Sequence, residues 1–185
     1  KQALVIDAGA DAAKIARALD AGNLRVLAYL ATHGHIDHIS ALAELTARHP
    51  APIAMQSADL SWAFTPSNQL PPYYSAPEQP HVTFRELSDG QQLQDGNFAY
   101  QVIGTPGHSP GGVCLFFPAG PILFSGDTLF QGTVGRTDLP GGDSRTLTRS
   151  LRRLATLPPQ TTVYPGHGTS TTIGDELRNN PFMHP

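Results

Sequence analysis

Three histidines and one aspartate fall within six residues in the segment HGHIDH, residues 33–38. Imidazole nitrogen and carboxylate oxygen are ligands that zinc takes in proteins. His33 and His35 lie two residues apart in an extended segment, so they project to the same side and can bind one ion. Asp37 and His38 follow at the turn into a helix and can bind a second ion. Taken alone, the segment is equally consistent with a polar turn between a strand and a helix.

Neither pair completes a metal shell, and three residues far along the chain are candidates for the missing ligands. They are His108 in TPGHSPGG, Asp127 in SGDTLF and His167 in YPGHG. Both distant histidines follow a Pro-Gly pair, where glycine allows backbone and metal to approach closely. Five histidines in this order favour metal binding over an ordinary polar turn. We expect the histidines outside these motifs to be surface residues: His49, His81 and His184.

The elements that must position these residues are strands, because each polar cluster begins where an apolar run stops. LAYLAT precedes His33, YQVIGT precedes His108, ILFSG precedes Asp127 and TTVY precedes His167. In α/β proteins, ligand sites collect at strand ends, where loops can converge on a rigid scaffold. The order of strands followed by a helix recurs and suggests two β-rich halves.

Helical periodicity fills the segments between several of these strands. A helix is predicted over residues 11–22, with Asp11 as N-cap and Gly22 as the C-terminal stop. Further helices are predicted behind the histidines up to Pro50, over residues 58–64 and over residues 143–157. The proline-rich segment 65–80 cannot hold regular structure and is predicted to be a surface loop near the site.

Composition bounds the classes of function. The chain has 185 residues, 39% of them hydrophobic, and a net charge of −3, which describes one ordinary α/β domain with halves at roughly 1–95 and 96–185. No basic patch for nucleic acid and no apolar run long enough for a membrane span is present in the sequence. The single cysteine, Cys114, cannot form an internal disulfide, which favours a reducing cytoplasm or has no bearing on the compartment. We expect Cys114 to be packed rather than reactive.

The ordered set of HxHxDH, a downstream histidine, a GDT aspartate and a late PGHG histidine resembles the metallo-β-lactamase superfamily. The resemblance implies a four-layer αββα sandwich, here without the first N-terminal strand or strands. It also implies the ligands of two metal ions: His33, His35 and His108 for the first, Asp37, His38 and His167 for the second, and Asp127 for both. The ions are expected to be zinc, with iron or manganese as alternatives.

Within that superfamily, the segments SGDTLFQGTVGRTDLPGGD and TTIGDELRNNPF are similar to the short bacterial glyoxalase II-like proteins, the hydroxyacylglutathione hydrolases. This resemblance implies hydrolysis of a glutathione thioester of the S-D-lactoylglutathione type by a monomer or homodimer. Asp37 is then also the catalytic residue that orients the nucleophile. Arg136 could bind a substrate carboxylate or only pair with Asp138. Tyr74 could contact the substrate or only pack the loop.

A thioester suits a site with two divalent ions. Such ions lower the pKa of water from about 15.7 to roughly 7, which makes hydroxide available at neutral pH. A thiolate, whose conjugate acid has a pKa of about 8.5, leaves without a general acid. Three alternatives stay open: a lactonase, a persulfide dioxygenase with one iron on His33, His108 and Asp127, and a non-enzyme in which the metal only stabilises the fold.

Overall fold

Two units, each containing a β-sheet with helices packed on it, make up the computed structural model, which describes residues 1–184. The first unit contains Lys1–Leu87 and Asp95–Asn97. The second contains Ser88–Gln94 and the chain from Phe98 onward. The predicted α/β class is therefore confirmed.

The sheet of the first unit is parallel, with four strands in the order β1-β2-β3-β4. These strands are β1 (Gln2–Ile6), β2 (Arg25–Leu30), β3 (Ile53–Met55) and β4 (Phe84–Glu86). The connections carry α1 (Ala12–Ala21), α2 (Ile36–Ile39), α3 (Leu42–Arg48) and α4 (Ser57–Ala63). Parallel pairing requires such crossovers, and their apolar faces form one core with the strands.

The helix predicted over residues 11–22 forms as α1, and the N–H of Gly22 donates to the carbonyl of Ala18 at 3.0 Å, as expected of a stop. The predicted cap at Asp11 is wrong in its mechanism. Its side chain makes no capping hydrogen bond, because a φ of 52° places the residue in the left-handed region rather than the extended conformation of a capping residue.

The helix predicted behind the histidines is divided into α2 and α3 by residues 40 and 41. Ile39, Leu42 and Leu45 are all buried, as their spacing predicts. The break has a physical cause: the Ala41 N–H donates to the carbonyl of Ala8 at 3.0 Å. This backbone bond fastens the start of α3 to the loop that follows β1.

The sheet of the second unit is mixed and has six strands in the order β12-β11-β8-β7-β6-β5. Its strands are β5 (Gln92–Asp95), β6 (Phe98–Gly104), β7 (Val113–Phe117), β8 (Ile122–Gly126), β11 (Thr162–Pro165) and β12 (Thr171–Thr172). A separate hairpin joins β9 (Leu129–Phe130) to β10 (Thr133–Val134). The helices are α5 (Ser144–Leu154) and α6 (Ile173–Asn179).

Both helices of the second unit are capped by side chains. Asp143 accepts the N–H of Thr146 at 2.7 Å at the start of α5, and Leu147, Leu151 and Leu154 of this helix are buried. The helix predicted there is confirmed. The sequence did not predict α6, a helix of 7 residues. Over residues 1–184, no helix combines the length and the hydrophobicity needed to cross a bilayer.

Candidate metal site

The HxHxDH segment begins in the loop after β2 and continues into α2, which contains Asp37 and His38, and its four polar side chains gather within the first unit. The imidazole centroid of His33 lies 4.9 Å from that of His35 and 4.0 Å from that of His38. Nε2 of His38 lies 3.9 Å from a carboxylate oxygen of Asp37, too far for a hydrogen bond. His33 and His38 are each only 2% exposed. The four side chains thus lie close together, and their assignment as metal ligands stays a prediction.

The Nδ1 atoms of two of these rings are held by one network centred on Asp7. One carboxylate oxygen of Asp7 accepts the Thr32 N–H at 2.7 Å. The other accepts the Thr32 hydroxyl at 2.7 Å and lies 3.0 Å from Nδ1 of His38. Because the Thr32 hydroxyl gives its hydrogen to Asp7, it can only accept from Nδ1 of His33, at 3.1 Å.

This network fixes which nitrogen of each ring carries the hydrogen. Nδ1 of His33 and Nδ1 of His38 are both donors, so the lone pair of each neutral ring is on Nε2. Ligand histidines in metalloproteins are oriented by this kind of contact on the other ring nitrogen. Asp7 and Thr32 therefore orient the rings of His33 and His38 so that Nε2 of each carries the lone pair. The signal for Asp7 that the sequence offers is its place directly after a strand.

In the second unit, His108 follows β6 in a Pro-Gly-His turn that is held by α5. The backbone carbonyl of Gly107 accepts the Asp143 N–H at 2.8 Å, and the carbonyl of Pro106 accepts the Ser150 hydroxyl at 2.7 Å. A Cβ on Gly107 would lie 2.4 Å from the Leu147 nitrogen. Gly107 is therefore required by the close approach of α5, and not only by a nearby metal as its motif suggested.

The Nδ1 atom of His108 lies 2.8 Å from the backbone carbonyl oxygen of Arg136. A carbonyl only accepts, so Nδ1 carries the hydrogen and Nε2 has the lone pair. Asp127 follows β8, and one of its carboxylate oxygens lies 3.6 Å from Nε2 of His108 and 3.6 Å from Nε2 of His167. These separations exceed hydrogen-bond length and are close to the spacing, about 3.3 Å, of two ligands around one tetrahedral zinc.

His167 is brought beside Asp127 by the parallel pairing of β11 with β8. The Gly166 N–H donates to the carbonyl of Gly126 at 2.9 Å, which joins the two turns that follow these strands. Asp127 is 11% exposed, whereas His167 is 54% exposed. The prediction that the polar clusters follow strand ends is confirmed for both residues.

The donor chemistry of both units fits a divalent metal. Each unit presents imidazole Nε2 atoms together with a carboxylate, and this set suits zinc, iron or manganese. Three of the five motif histidines have Nδ1 contacts that assign the lone pair to Nε2: His33, His38 and His108. Histidines that only lay in a polar turn would not require this shared orientation.

The two predicted substrate contacts have identifiable surroundings. The Arg136 guanidinium makes two hydrogen bonds of 2.7 Å to the two carboxylate oxygens of Asp138. These bonds lower the pKa of Asp138 to about 2 and raise the pKa of Arg136. Tyr74 is half-buried in the 65–80 loop, where its N–H donates to the Leu70 carbonyl at 2.9 Å. Whether Arg136 or Tyr74 contacts a substrate stays a prediction.

The expectations for residues outside the motifs were confirmed only in part. His81 and His184 are exposed as expected, but the His49 side chain is only 17% exposed and lies 3.4 Å from a carboxylate oxygen of Asp20. Cys114 is fully buried and packed, also as expected. Sequence reasoning missed Asp59 and Asn68, two buried polar residues that contact the backbone of Gly34.

The chain is similar in sequence to a known protein family and to several of the curated proteins. Residues 1–167 match the family model described as the metallo-beta-lactamase superfamily. A probable metallo-hydrolase of Bacillus subtilis, YqgX, is 36% identical over 99% of this chain and 88% of its own length. The hydroxyacylglutathione hydrolase GloC of Haemophilus influenzae is 32% identical over 100% of this chain and 88% of its own length.

Solved structures also resemble this chain closely. The B3 metallo-beta-lactamase BLEG-1 superposes with a TM-score of 0.91 at 37% identity, over 99% of this chain and 89% of that one. TTHA1623 in a di-iron-bound form gives 0.86 at 42% identity, over 96% and 87%. ETHE1 from Myxococcus xanthus gives 0.75 at 31% identity, over 97% and 73%. The predicted fold is confirmed by these likenesses.

Proposed function

This chain belongs to the metallo-beta-lactamase superfamily, and on that premise we propose that it is a metal-dependent hydrolase of a glutathione thioester, of the S-D-lactoylglutathione type. The proposed ligands of two divalent ions, zinc in the first instance, are those that the sequence motifs indicate: His33, His35, Asp37, His38, His108, Asp127 and His167. We also propose a cytoplasmic location, on the support of the single buried cysteine.

The observation that carries the proposal is the common orientation of the motif histidines. Nδ1 of His38 is held by the Asp7 carboxylate and Nδ1 of His108 by the Arg136 carbonyl. Each contact leaves Nε2 as the nitrogen with a lone pair, and each belongs to a different unit. Because buried polar contacts of this kind cost desolvation, their repetition supports a purpose beyond packing.

When bound, the ions supply hydroxide at neutral pH and positive charge near the carbonyl under attack. The protein side chains have separate tasks. The carboxylate of Asp37 would orient the nucleophile and accept its proton, and Asp127 would be a ligand of both ions. Asp7 keeps the ring of His38 in one orientation throughout the reaction. No step requires a protein group to protonate the leaving thiolate.

We choose a thioester as the substrate because its leaving group needs no proton from the protein. An amide nitrogen must be protonated to leave, and the motifs contain no dedicated proton donor beside the carboxylates and imidazoles proposed as ligands. A thiolate leaves unprotonated, since its conjugate acid has a pKa of about 8.5. The likeness to GloC supports glutathione as the thiol.

A mononuclear iron dioxygenase acting on persulfides is the second candidate, and the similarity to ETHE1 favours it. In that case iron binds His33, His108 and Asp127, while Asp37 and His38 are not ligands. The contact between His38 and Asp7 supports the binuclear hydrolase instead, because a ring outside the metal shell has no need of a buried carboxylate at Nδ1.

The test is hydrolysis of S-D-lactoylglutathione by metal-replete protein, followed as loss of thioester absorbance. We expect the wild type to hydrolyse the thioester and His35→Ala to lose this activity. His81→Ala is the control, because His81 is exposed and lies outside the motifs, and it should keep the activity. Absence of turnover from folded protein carrying two ions would overturn the thioester assignment, and the same protein would then be assayed on lactones. Oxygen consumption with a persulfide by protein carrying one iron would establish the dioxygenase.

A structural metal is tested separately with Asp37→Ala. If the metal only stabilises the fold, this variant loses stability to urea. If the protein is an enzyme, the variant keeps most of its stability and loses mainly kcat.

A further inference from the structure

The residue between the first two histidines, Gly34, is held on both sides by buried polar side chains. Its N–H donates to a carboxylate oxygen of Asp59 at 2.9 Å, and its carbonyl accepts from the Asn68 amide at 2.8 Å. Asp59 is fully buried and Asn68 is 7% exposed. Both contacts cross a sequence separation of 25 residues or more and lie within the first unit.

The two side chains are themselves fixed by α4 and its C-terminal end. Asp59 lies in the first turn of α4, and the Asn68 amide makes a second hydrogen bond of 2.6 Å to the carbonyl of Ala63. The helix packs directly on Gly34: a Cβ there would lie 3.2 Å from the Cβ atoms of Asp59 and Ala63. The Trp62 ring lies 5.3 Å from the His35 ring. Helix α4 therefore packs directly against the histidine segment.

Gly34 would otherwise be the most flexible link in the segment. Glycine has the widest choice of backbone conformations, and rotation of its peptide groups changes the direction in which His33 and His35 project. Two ligands of one ion must keep their coordinating nitrogens within a few tenths of an ångström of the required positions. Hydrogen bonds at both its N–H and its carbonyl remove that freedom before any metal arrives.

We propose that Asp59 and Asn68 are positioning residues that set the metal affinity of the His33–His35 pair by fixing the Gly34 backbone. The inference rests on the proposed metal site but not on the thioester substrate. It also assigns a structural role to the 65–80 loop, because Asn68 of that loop contacts the backbone of Gly34, between His33 and His35.

Zinc affinity of the full-length protein is measured by competition with a chromophoric chelator. We expect Asn68→Ala and Asp59→Ala to bind zinc about 10–100-fold more weakly than the wild type. Asp59→Asn keeps an oxygen acceptor for the Gly34 N–H and is expected to recover most of the affinity. In the hydrolase assay at limiting zinc, kcat is expected to fall while KM changes little, because less of the protein carries the metal.

The matched control is Gln56→Ala. The Gln56 side chain caps α4 by accepting the Ala58 N–H at 2.6 Å, whereas the hydrogen bonds to Gly34 come from Asp59 and Asn68. This variant weakens the same helix and is expected to keep wild-type zinc affinity. Trp62 is the only tryptophan of the chain and its ring lies beside that of His35, so we expect its fluorescence to change when zinc binds.

Wild-type zinc affinity in Asn68→Ala, or an equal loss in Gln56→Ala, would overturn the proposal, and so would a wild-type protein that binds no zinc. Should Asp59→Ala fail to fold, Asn68→Ala and Asp59→Asn still decide it. A weakened affinity in a protein inert to the thioester would support the positioning role while the proposed substrate fails.

Discussion

Nδ1 of His38 lies 3.0 Å from a carboxylate oxygen of Asp7, a residue 31 positions earlier at the end of β1. Asp7 adopts a φ of 48°, in the left-handed region that asparagine also tolerates. Asp7→Asn therefore keeps the backbone and side-chain shape but removes the carboxylate that orients His38 and Thr32. We expect zinc affinity to fall about 10–100-fold, measured by chelator competition.

Asp11→Asn is the control for that change. Asp11 also has a left-handed backbone, with a φ of 52°, and its side chain makes no capping hydrogen bond. This variant should bind zinc as the wild type does. Equal affinities in both variants would contradict the role of Asp7.

Two glycines pack on the backbones of the candidate ligand aspartates. A Cβ on Gly9 would lie 1.6 Å from the carbonyl oxygen of Asp37, and one on Gly135 would lie 1.8 Å from that of Asp127. Because backbone cannot move aside as a flexible side chain can, each alanine variant should lose about 1–3 kcal/mol of unfolding free energy or more. Metal binding should weaken as well.

Thermal unfolding and zinc titration check this prediction. The control is Gly120→Ala, where the nearest atom to the new Cβ is a side-chain carbon of Ile122 at 3.7 Å. Gly9→Ala and Gly135→Ala proteins with the Tm and zinc affinity of Gly120→Ala would refute the packing argument.

Asn180 fastens α6 to the hairpin of β9 and β10. Its amide donates to the Thr133 carbonyl at 3.0 Å and to Glu176 at 2.8 Å, and the same Glu176 oxygen accepts the Gly132 N–H at 2.8 Å. Asn180→Ala leaves buried acceptors without this donor, so we expect a loss of about 1–3 kcal/mol in urea unfolding. Its exposed neighbour provides the control: Asn179→Ala should change stability little, and similar losses in the two variants would argue against the network.

Tyr29 makes the stability of the fold sensitive to alkaline pH. Its side chain is fully buried, and desolvation raises its pKa from 10.0 to about 12. The folded state therefore retains this proton between pH 10 and 12 while the unfolded state loses it, so unfolding free energy falls across that window by up to about 2–3 kcal/mol. Tyr29→Phe should remove this part of the pH dependence.

The comparison is made by urea unfolding at intervals from pH 9 to about 12. Tyr29→Phe also loses the hydrogen bond to the His49 carbonyl, 2.9 Å long, so its stability should be lower at neutral pH while its alkaline slope is shallower. Tyr73→Phe, at a side chain that is 79% exposed, should keep the wild-type slope. A wild-type slope in Tyr29→Phe would show that other groups dominate.

The sequence by itself identified the candidate donor atoms and the strand ends at which they lie. Residue type and spacing identified the candidate ligands, because a metal requires particular donor atoms and HxHxDH supplies four donor side chains within six residues. Apolar runs located the strands before His108, Asp127 and His167, because burial imposes a pattern that is local in the chain.

Only the tertiary structure decided how these side chains are held. Asp7, Asp59 and Asn68 contact the histidine segment from positions 25 or more residues away, and no local pattern links them to it. The same is true of the break between α2 and α3, which depends on a backbone bond to Ala8. Hydrogen bonds between distant residues form only once the fold has brought their partners together, so donor chemistry can be predicted from sequence more readily than donor orientation.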